Sequence, residues 1–331
     1  MTSRTAISTH IGTKRRERIL AAFYRGGSLT LQNPAYVQAL HALMGELLRQ
    51  DAEQGDLTVN ALGIGDRECR SEIRAKETGI AAGIDEARWL YEREGLATSP
   101  TAHDGKFVSP GEVLLGARGS AKTLFRLERV VLNLMQRMSG VATATERLVK
   151  VASEKSPSAH VLATRKTPWG LLDKRAVHIG GGGTHRLNLS DAILIKTNHL
   201  LFRSGSPKAD IEESIRRAFQ NRKAAFFFEV EVTNKEEALL AARVLRDLQQ
   251  TDDSCPCILM LDNFSPVEAA SAVEELRARE LDDAVLVEAS GNAEASLAAY
   301  ASSGVDAISI GALTHSVRAL DLSARVIPEQ R

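Results

Sequence analysis

Hydrophobic positions along the 331-residue chain follow two rhythms. In the first part, Val37, Leu40, Met44, Leu47 and Leu48 recur at helical spacing behind Asn33-Pro34. An N-cap residue followed by proline at the first helical position predicts a helix that ends before Gln54-Gly55-Asp56. Residues 68–116 alternate and break at Gly79, Gly83, Gly105 and Gly111, which predicts short strands at 69–75 and 111–117. Leu127, Val130, Val131, Leu134 and Met138 share one face, so a helix is expected over 124–138 and a second over 142–153. Residues 31–130 thus read as a small α+β domain.

The second rhythm is more regular. Short apolar runs stand at 161–163, 193–195, 225–230, 258–261, 285–287 and 307–310, their starts 22 to 33 residues apart. Helical patterns over 234–249, 266–279 and 293–303 fill most intervals. Buried strands alternating with helices predict parallel βα units, either a barrel or an open doubly wound sheet. The fold class is therefore α/β. Neither GxGxxG nor a Walker A sequence occurs.

Polar groups sit directly after the apolar runs: Thr164-Arg165-Lys166, Lys196-Thr197-Asn198-His199, Glu231 behind Glu229, Asp262-Asn263, Glu288 to Asn292, and Gly311-Ala312. In a βα barrel these positions share the face on which active sites are built. Each alone could be a solvated loop charge. Together, Arg165, Lys166, Arg186 and Lys196 are cations aimed at one mouth, as a polyanionic substrate requires. Glu229, Glu231 and Asp262 are acids at the neighbouring strands and suit Mg²⁺, which takes one or two carboxylates plus substrate phosphates. Ser290-Gly291-Asn292 and Gly311-Ala312 stand where barrels cradle phosphate with backbone N–H groups. Gly180 to Gly183, ending in Thr184-His185-Arg186, reads as a functional loop rather than a linker. His178, His199 and His315 read as structural.

Composition narrows the classes. Apolar residues make up 44% and charged residues 25%, as in a soluble globular enzyme. The 42 basic and 42 acidic residues cancel, which argues against a nucleic-acid-binding face, and 5% aromatics are too few for stacking platforms. No apolar stretch is long enough to span a membrane. Cys69, Cys255 and Cys257 form no disulfide framework and are expected to be reduced thiols of a cytoplasmic protein. Residues 1–30 are rich in Arg and Ser; they read as a flexible extension, with an organelle-targeting segment as the alternative.

Beyond composition, the ordered motifs resemble the quinolinate phosphoribosyltransferase family, also called carboxylating nicotinate-nucleotide pyrophosphorylases. Thr164-Arg165-Lys166-Thr167, the glycine run with His185-Arg186, Leu194-Ile195-Lys196 with Asn198-His199, and Leu261-Asp262-Asn263 carry the likeness. So do Glu128-Arg129, Ser139-Gly140, Glu288-Ala289-Ser290-Gly291 and Ser309-Ile310-Gly311-Ala312. The resemblance spans roughly residues 40–325. It implies an N-terminal sandwich (residues 31–130, joined by the tail 316–331), an incomplete α/β barrel (131–315) and a homodimer. The implied reaction joins quinolinate to 5-phosphoribosyl-1-pyrophosphate (PRPP) with Mg²⁺. By the same resemblance Arg165, Lys166, His185, Arg186 and Lys196 line the quinolinate site, with Arg129 entering from the partner subunit. Glu231, Asp262, Ser290, Gly291, Asn292 and Gly311 would take PRPP, Glu231 and Asp262 also facing the metal, and the catalytic set would be Lys166, Lys196, Glu231 and Asp262. Neither nucleic acid nor membrane is an expected partner.

Four positions depart from the family pattern. Ala163 and Thr197 each replace an Asp, Asn292 replaces a Gly, and the 167–174 loop is about two residues short. Residues 249–256 look like a surface insertion. A related phosphoribosyltransferase for nicotinate and a non-catalytic binder stay open as alternatives.

Overall fold

The computed structural model describes residues 14–204, 210–291 and 293–328, beginning with a helix over 14–23 (α1). This corrects the expectation of a flexible extension over residues 1–30; residues 1–13 lie outside the described residues. Ile19, Ala22 and Phe23 are buried on one side of α1. On another side Arg15 forks onto Asp306, with both bonds at 2.6 Å, and Arg18 donates to the Asp283 and Ala284 carbonyls. Arg15 and Arg18, two of the basic residues that suggest a solvated tail, are pinned by partners distant in sequence.

There follow α2 (Pro34–Ala52), α3 (Leu57–Ala61), β1 (Glu68–Ala75), β2 (Gly79–Ile80), α4 (Ile84–Arg93), β3 (Ala97–Pro100), β4 (Phe107–Val108) and β5 (Val113–Ser120). Then come α5 (Ala121–Lys155), β6 (His160–Ala163), α6 (Leu171–Ile179), β7 (Ile193–Ile195), α7 (Thr197–Ser204), α8 (Ile211–Gln220), β8 (Phe228–Val232) and α9 (Lys235–Gln249). The chain ends with β9 (Cys257–Asp262), α10 (Pro266–Ala278), β10 (Leu286–Ser290), α11 (Leu297–Ser302), β11 (Ala307–Ile310), α12 (Ala312–His315) and β12 (Leu322–Pro328). Asn33 caps α2 by accepting from the Ala35 and Tyr36 N–H groups.

Two units form from interleaved segments. One comprises Gly26–Arg147, Thr167–Gly181 and the chain from Leu313 on. Its sheet runs β12-β1-β5-β3, all antiparallel, with Cys69, Ser71, Ile73 and Ala75 facing inward from β1. The division falls within α5 rather than at residue 130, and the 167–181 segment belongs here rather than with the barrel. α5 is one 35-residue helix, not two. Helix continues through residues 139–141, which separate the two helices expected over 124–138 and 142–153. A Cβ on Gly140 would meet the Arg318 carbonyl oxygen at 2.3 Å, so glycine serves close packing.

The other unit comprises residues up to Arg25, Leu148–Lys166 and Gly182–Ala312. Its six strands are all parallel, in the order β6-β11-β10-β9-β8-β7. Buried on both faces, such strands read as continuous apolar runs. Leu162 on one edge strand and Ala192, just before the other, meet in one cluster with Phe227, Ile258, Leu286 and Ala307. An open sheet would hold its edges apart, so this sheet curls into an incomplete barrel. Ile19, Ala22 and Phe23 of α1 complete the cluster and plug the N-terminal end. Beside β6, Gly183 bridges Leu162. All three cysteines are buried thiols outside any disulfide. No described helix is long and apolar enough to cross a membrane.

Candidate active site

Strand alternation builds the site above that plug. Because the side-chain period is two, every second residue points into the barrel. Leu194 and Lys196, Glu229 and Glu231, Met260 and Asp262, Glu288 and Ser290, and Ser309 and Gly311 therefore share the interior. The upper members line a cavity of about 560 Å³ at the C-terminal strand ends, with Thr164, Arg165, Lys166, His185, Arg186, Asn263 and Gly291. The structure thus gathers ten of the twelve expected site residues into one cavity wall. Arg129 stands exposed on α5 and is not among the lining residues. Asn292 lies outside the described residues.

The cavity is electrostatically split. Arg165 and Lys166 are exposed at its rim, Lys196 is half-exposed, and Arg186 is only 8% exposed. Burial and the neighbouring Arg165 charge hold the Arg186 guanidinium below its usual range. Cations brought together against burial and repulsion suit an anionic ligand. Across the cavity, Glu231 accepts from the Thr197 N–H and hydroxyl (3.1 and 2.9 Å) and faces Lys196 Nζ at 3.7 Å. Asp262 accepts from the Ser290 hydroxyl at 2.8 Å and from the Asn263 amide at 3.0 Å. Gly291 has φ +118, and a Cβ there would meet Asn263 Oδ1 at 2.7 Å. His199 Nδ1 accepts from the Lys196 N–H at 2.9 Å and orders the start of α7.

Below this layer lies a group that the sequence placed wrongly. The pattern places Glu229 within the 225–230 strand as an acid of the mouth and Glu288 directly behind the 285–287 strand, but both strands run further and both side chains are fully buried. His185 Nε2 faces Glu229 Oε2 at 3.1 Å and Glu288 Oε2 at 3.4 Å. Burial opposes charge on His185 while Glu229 and Glu288 favour a proton on the ring; because Nδ1 accepts a backbone N–H, that proton sits on Nε2. Burial and the Glu288 charge push Glu229 up to about 7. The three groups together retain a proton. Ser309, also unforeseen, donates to Glu288 Oε1 at 2.5 Å. The missed signal was the period of two: Glu229 stands two residues before Glu231, and Glu288 two before Ser290.

Comparison with known proteins decides the family. Residues 141–325 match the C-terminal domain of quinolinate phosphoribosyl transferase, and residues 56–139 match its N-terminal domain. This chain belongs to the quinolinate phosphoribosyltransferase family. Among its relatives is an Archaeoglobus fulgidus protein named "probable nicotinate-nucleotide pyrophosphorylase (carboxylating)", 36% identical over 276 residues, which are 82% of this chain and 98% of the relative. The Nicotiana glauca protein named "quinolinate phosphoribosyltransferase (decarboxylating) 2, mitochondrial" is 36% identical over 313 residues, 91% of this chain and 86% of its own. The solved nicotinate-nucleotide pyrophosphorylase of Francisella tularensis superposes with a TM-score of 0.74 at 32% identity, covering 88% of this chain and 96% of that one. Within the family pattern, the Thr197 departure has a local account. Its hydroxyl and N–H both donate to Glu231, where an Asp carboxylate would repel it.

Proposed function

We propose that this chain transfers the phosphoribosyl group of PRPP to quinolinate with loss of CO₂, giving nicotinate mononucleotide and pyrophosphate, a step of de novo NAD synthesis. The observation that carries this reading is the split cavity, with Arg165, Lys166, Arg186 and Lys196 facing Glu231 and Asp262. Quinolinate is a dianion, and guanidinium groups pair with carboxylates two-to-two. In this reading Arg165, Lys166 and Arg186 hold its carboxylates beside His185, and Lys196 lies between both substrates. Glu231 and Asp262 accept from the ribose hydroxyls. Ser290 and the backbone around Gly291 and Gly311 take the 5-phosphate.

The donor chemistry fits Mg²⁺. Glu231 and Asp262 offer only oxygen, are partly open to the cavity, and keep lone pairs beyond those used by Thr197, Ser290 and Asn263. When bound there with PRPP, Mg²⁺ would neutralise charge on the departing pyrophosphate. The protein's own residues position the ring nitrogen for in-line attack on the ribose carbon as the bond to pyrophosphate breaks. Lys166 and Lys196 balance the negative charge that develops, and held geometry alone can be worth about 7–11 kcal/mol. The alkylated ring nitrogen is then cationic. It accepts the electron pair left when the adjacent carboxylate departs as CO₂, and a proton replaces that carboxylate on the ring carbon. No nucleophilic side chain is required.

Arg129, exposed on α5, belongs to this reading as a residue lent to the partner subunit of a homodimer in the cytoplasm. The testing experiment supplies purified protein with PRPP, Mg²⁺ and either quinolinate or nicotinate. Mononucleotide and CO₂ in equal amounts from quinolinate alone support the proposal, whereas product from nicotinate moves the chain to a related phosphoribosyltransferase.

A further inference from the structure

His185 is the one residue of the proposed quinolinate set whose ring nitrogens both point into the protein. Nδ1 accepts from the Arg186 backbone N–H at 2.8 Å. Nε2 faces the two buried carboxylates at ion-pair distance, and neither oxygen of Glu229 has a hydrogen-bond partner among the described residues. The ring is also clamped. It stacks on Phe23 at 5.7 Å and meets Phe227 edge-on at 5.1 Å. Its backbone is left-handed, with φ 53, and the Phe23 carbonyl accepts from the Thr184 and His185 N–H groups at 2.7 and 3.2 Å. A non-glycine residue stays in that region only where its surroundings over-determine it.

We propose that Glu229, Glu288 and His185 form a positioning device for Arg186, and that His185 makes no hydrogen bond to substrate. The proposal rests on the reading that Arg186 binds a quinolinate carboxylate. The two carboxylates select the ring tautomer that carries its proton on Nε2. That leaves a lone pair on Nδ1 for the Arg186 N–H, and this bond fixes the turn from which the guanidinium projects. The α1 plug takes part through Phe23, so the far end of the barrel holds the active-site arginine in place.

The same three side chains bring their ligand atoms within 4.8 Å of one another, a spacing open to a metal ion. A metal would need the Nε2 lone pair. With Nδ1 already accepting a hydrogen bond, the ring would then have to give up its one N–H proton and become an imidazolate. The geometry therefore favours a proton at this place over an ion.

Turnover of quinolinate by the wild-type enzyme is measured first, so that failure of the functional reading shows there. The ring nitrogens of His185 are then observed by ¹⁵N NMR, with and without quinolinate. The expected spectrum has a protonated Nε2 and an unprotonated Nδ1 in both states. Loss of the Nε2 proton on adding Zn²⁺ alone, or a change of tautomer with quinolinate, overturns the proposal. In kinetics, His185→Ala raises the KM for quinolinate by about tenfold or more while the KM for PRPP stays within about twofold. His185→Asn recovers most of that loss, since Asn tolerates left-handed backbone and supplies both an acceptor and a donor. A His185→Asn variant as impaired as His185→Ala, with both folded by circular dichroism, contradicts the positioning role.

Discussion

Arg186 is where burial and charge conflict most sharply. Its side chain is nearly enclosed, Arg165 lies close by, and both effects disfavour its charge. An incoming carboxylate relieves both. Arg186→Ala is therefore expected to weaken quinolinate binding by about 2–5 kcal/mol, as truncation of one partner of a buried charge pair does. Calorimetric titration checks this, and unchanged affinity would remove Arg186 from the site. A second residue-scale prediction concerns Asp104, in the N-terminal unit. Burial and the Glu86 carboxylate push Asp104 up to about 7. Asp104 accepts from the Ile84 N–H, and Glu86 from the Tyr36 hydroxyl. The folded carboxyl thus binds its proton more tightly than the unfolded one. Its stabilising contribution is full below the ordinary Asp range and is lost as pH rises through about 7. Asp104→Asn should flatten the fall of Tm between about pH 4 and 7, and a variant whose Tm falls as steeply as the wild type's contradicts this.

At the level of elements, parallel strands buried on both faces announce themselves as apolar runs, and all six barrel strands were legible. Their ends were not. β8 begins at Phe228 rather than at residue 225, and β10 runs on to Ser290. The extension of β10 is why Glu288 reads as a tip rather than an interior group. Arg165, Lys166, Lys196, Glu231 and Asp262 were legible because charge directly behind an apolar run has a simple meaning. Several helices escaped, α1 and α4 among them, and α5 was expected as two. α1 is short and basic, and only the barrel end it plugs makes it a helix. α5 is expected as two helices over 124–138 and 142–153, yet it runs through Gly140, where the neighbouring backbone at Arg318 leaves no room for a Cβ. Gly140→Ala tests this by sign. In a free helix the change would stabilise by about 1 kcal/mol, whereas the clash predicts net destabilisation of about 1–3 kcal/mol by urea unfolding. Phe23→Ala should cost about 3–5 kcal/mol by the same measurement, through the cavity left among Phe227, Leu162 and His185. A loss under about 1 kcal/mol would show that α1 does not plug the barrel.

For the whole molecule, the interleaving of two units from three segments each could not be read from local pattern. It depends on β12 returning to pair with β1, and register between strands so far apart in sequence leaves no local signature. The proposed homodimer adds a further scale. If Arg129 completes the partner's site, mixing Arg129→Ala with Lys196→Ala subunits restores one intact site per heterodimer. No recovery after verified subunit exchange contradicts sharing. The most direct test of the central claim follows nicotinate mononucleotide and CO₂ together from quinolinate, PRPP and Mg²⁺, with nicotinate in parallel. The split cavity predicts equal amounts of both products from quinolinate and none from nicotinate. A folded protein that binds quinolinate yet yields neither product would contradict it.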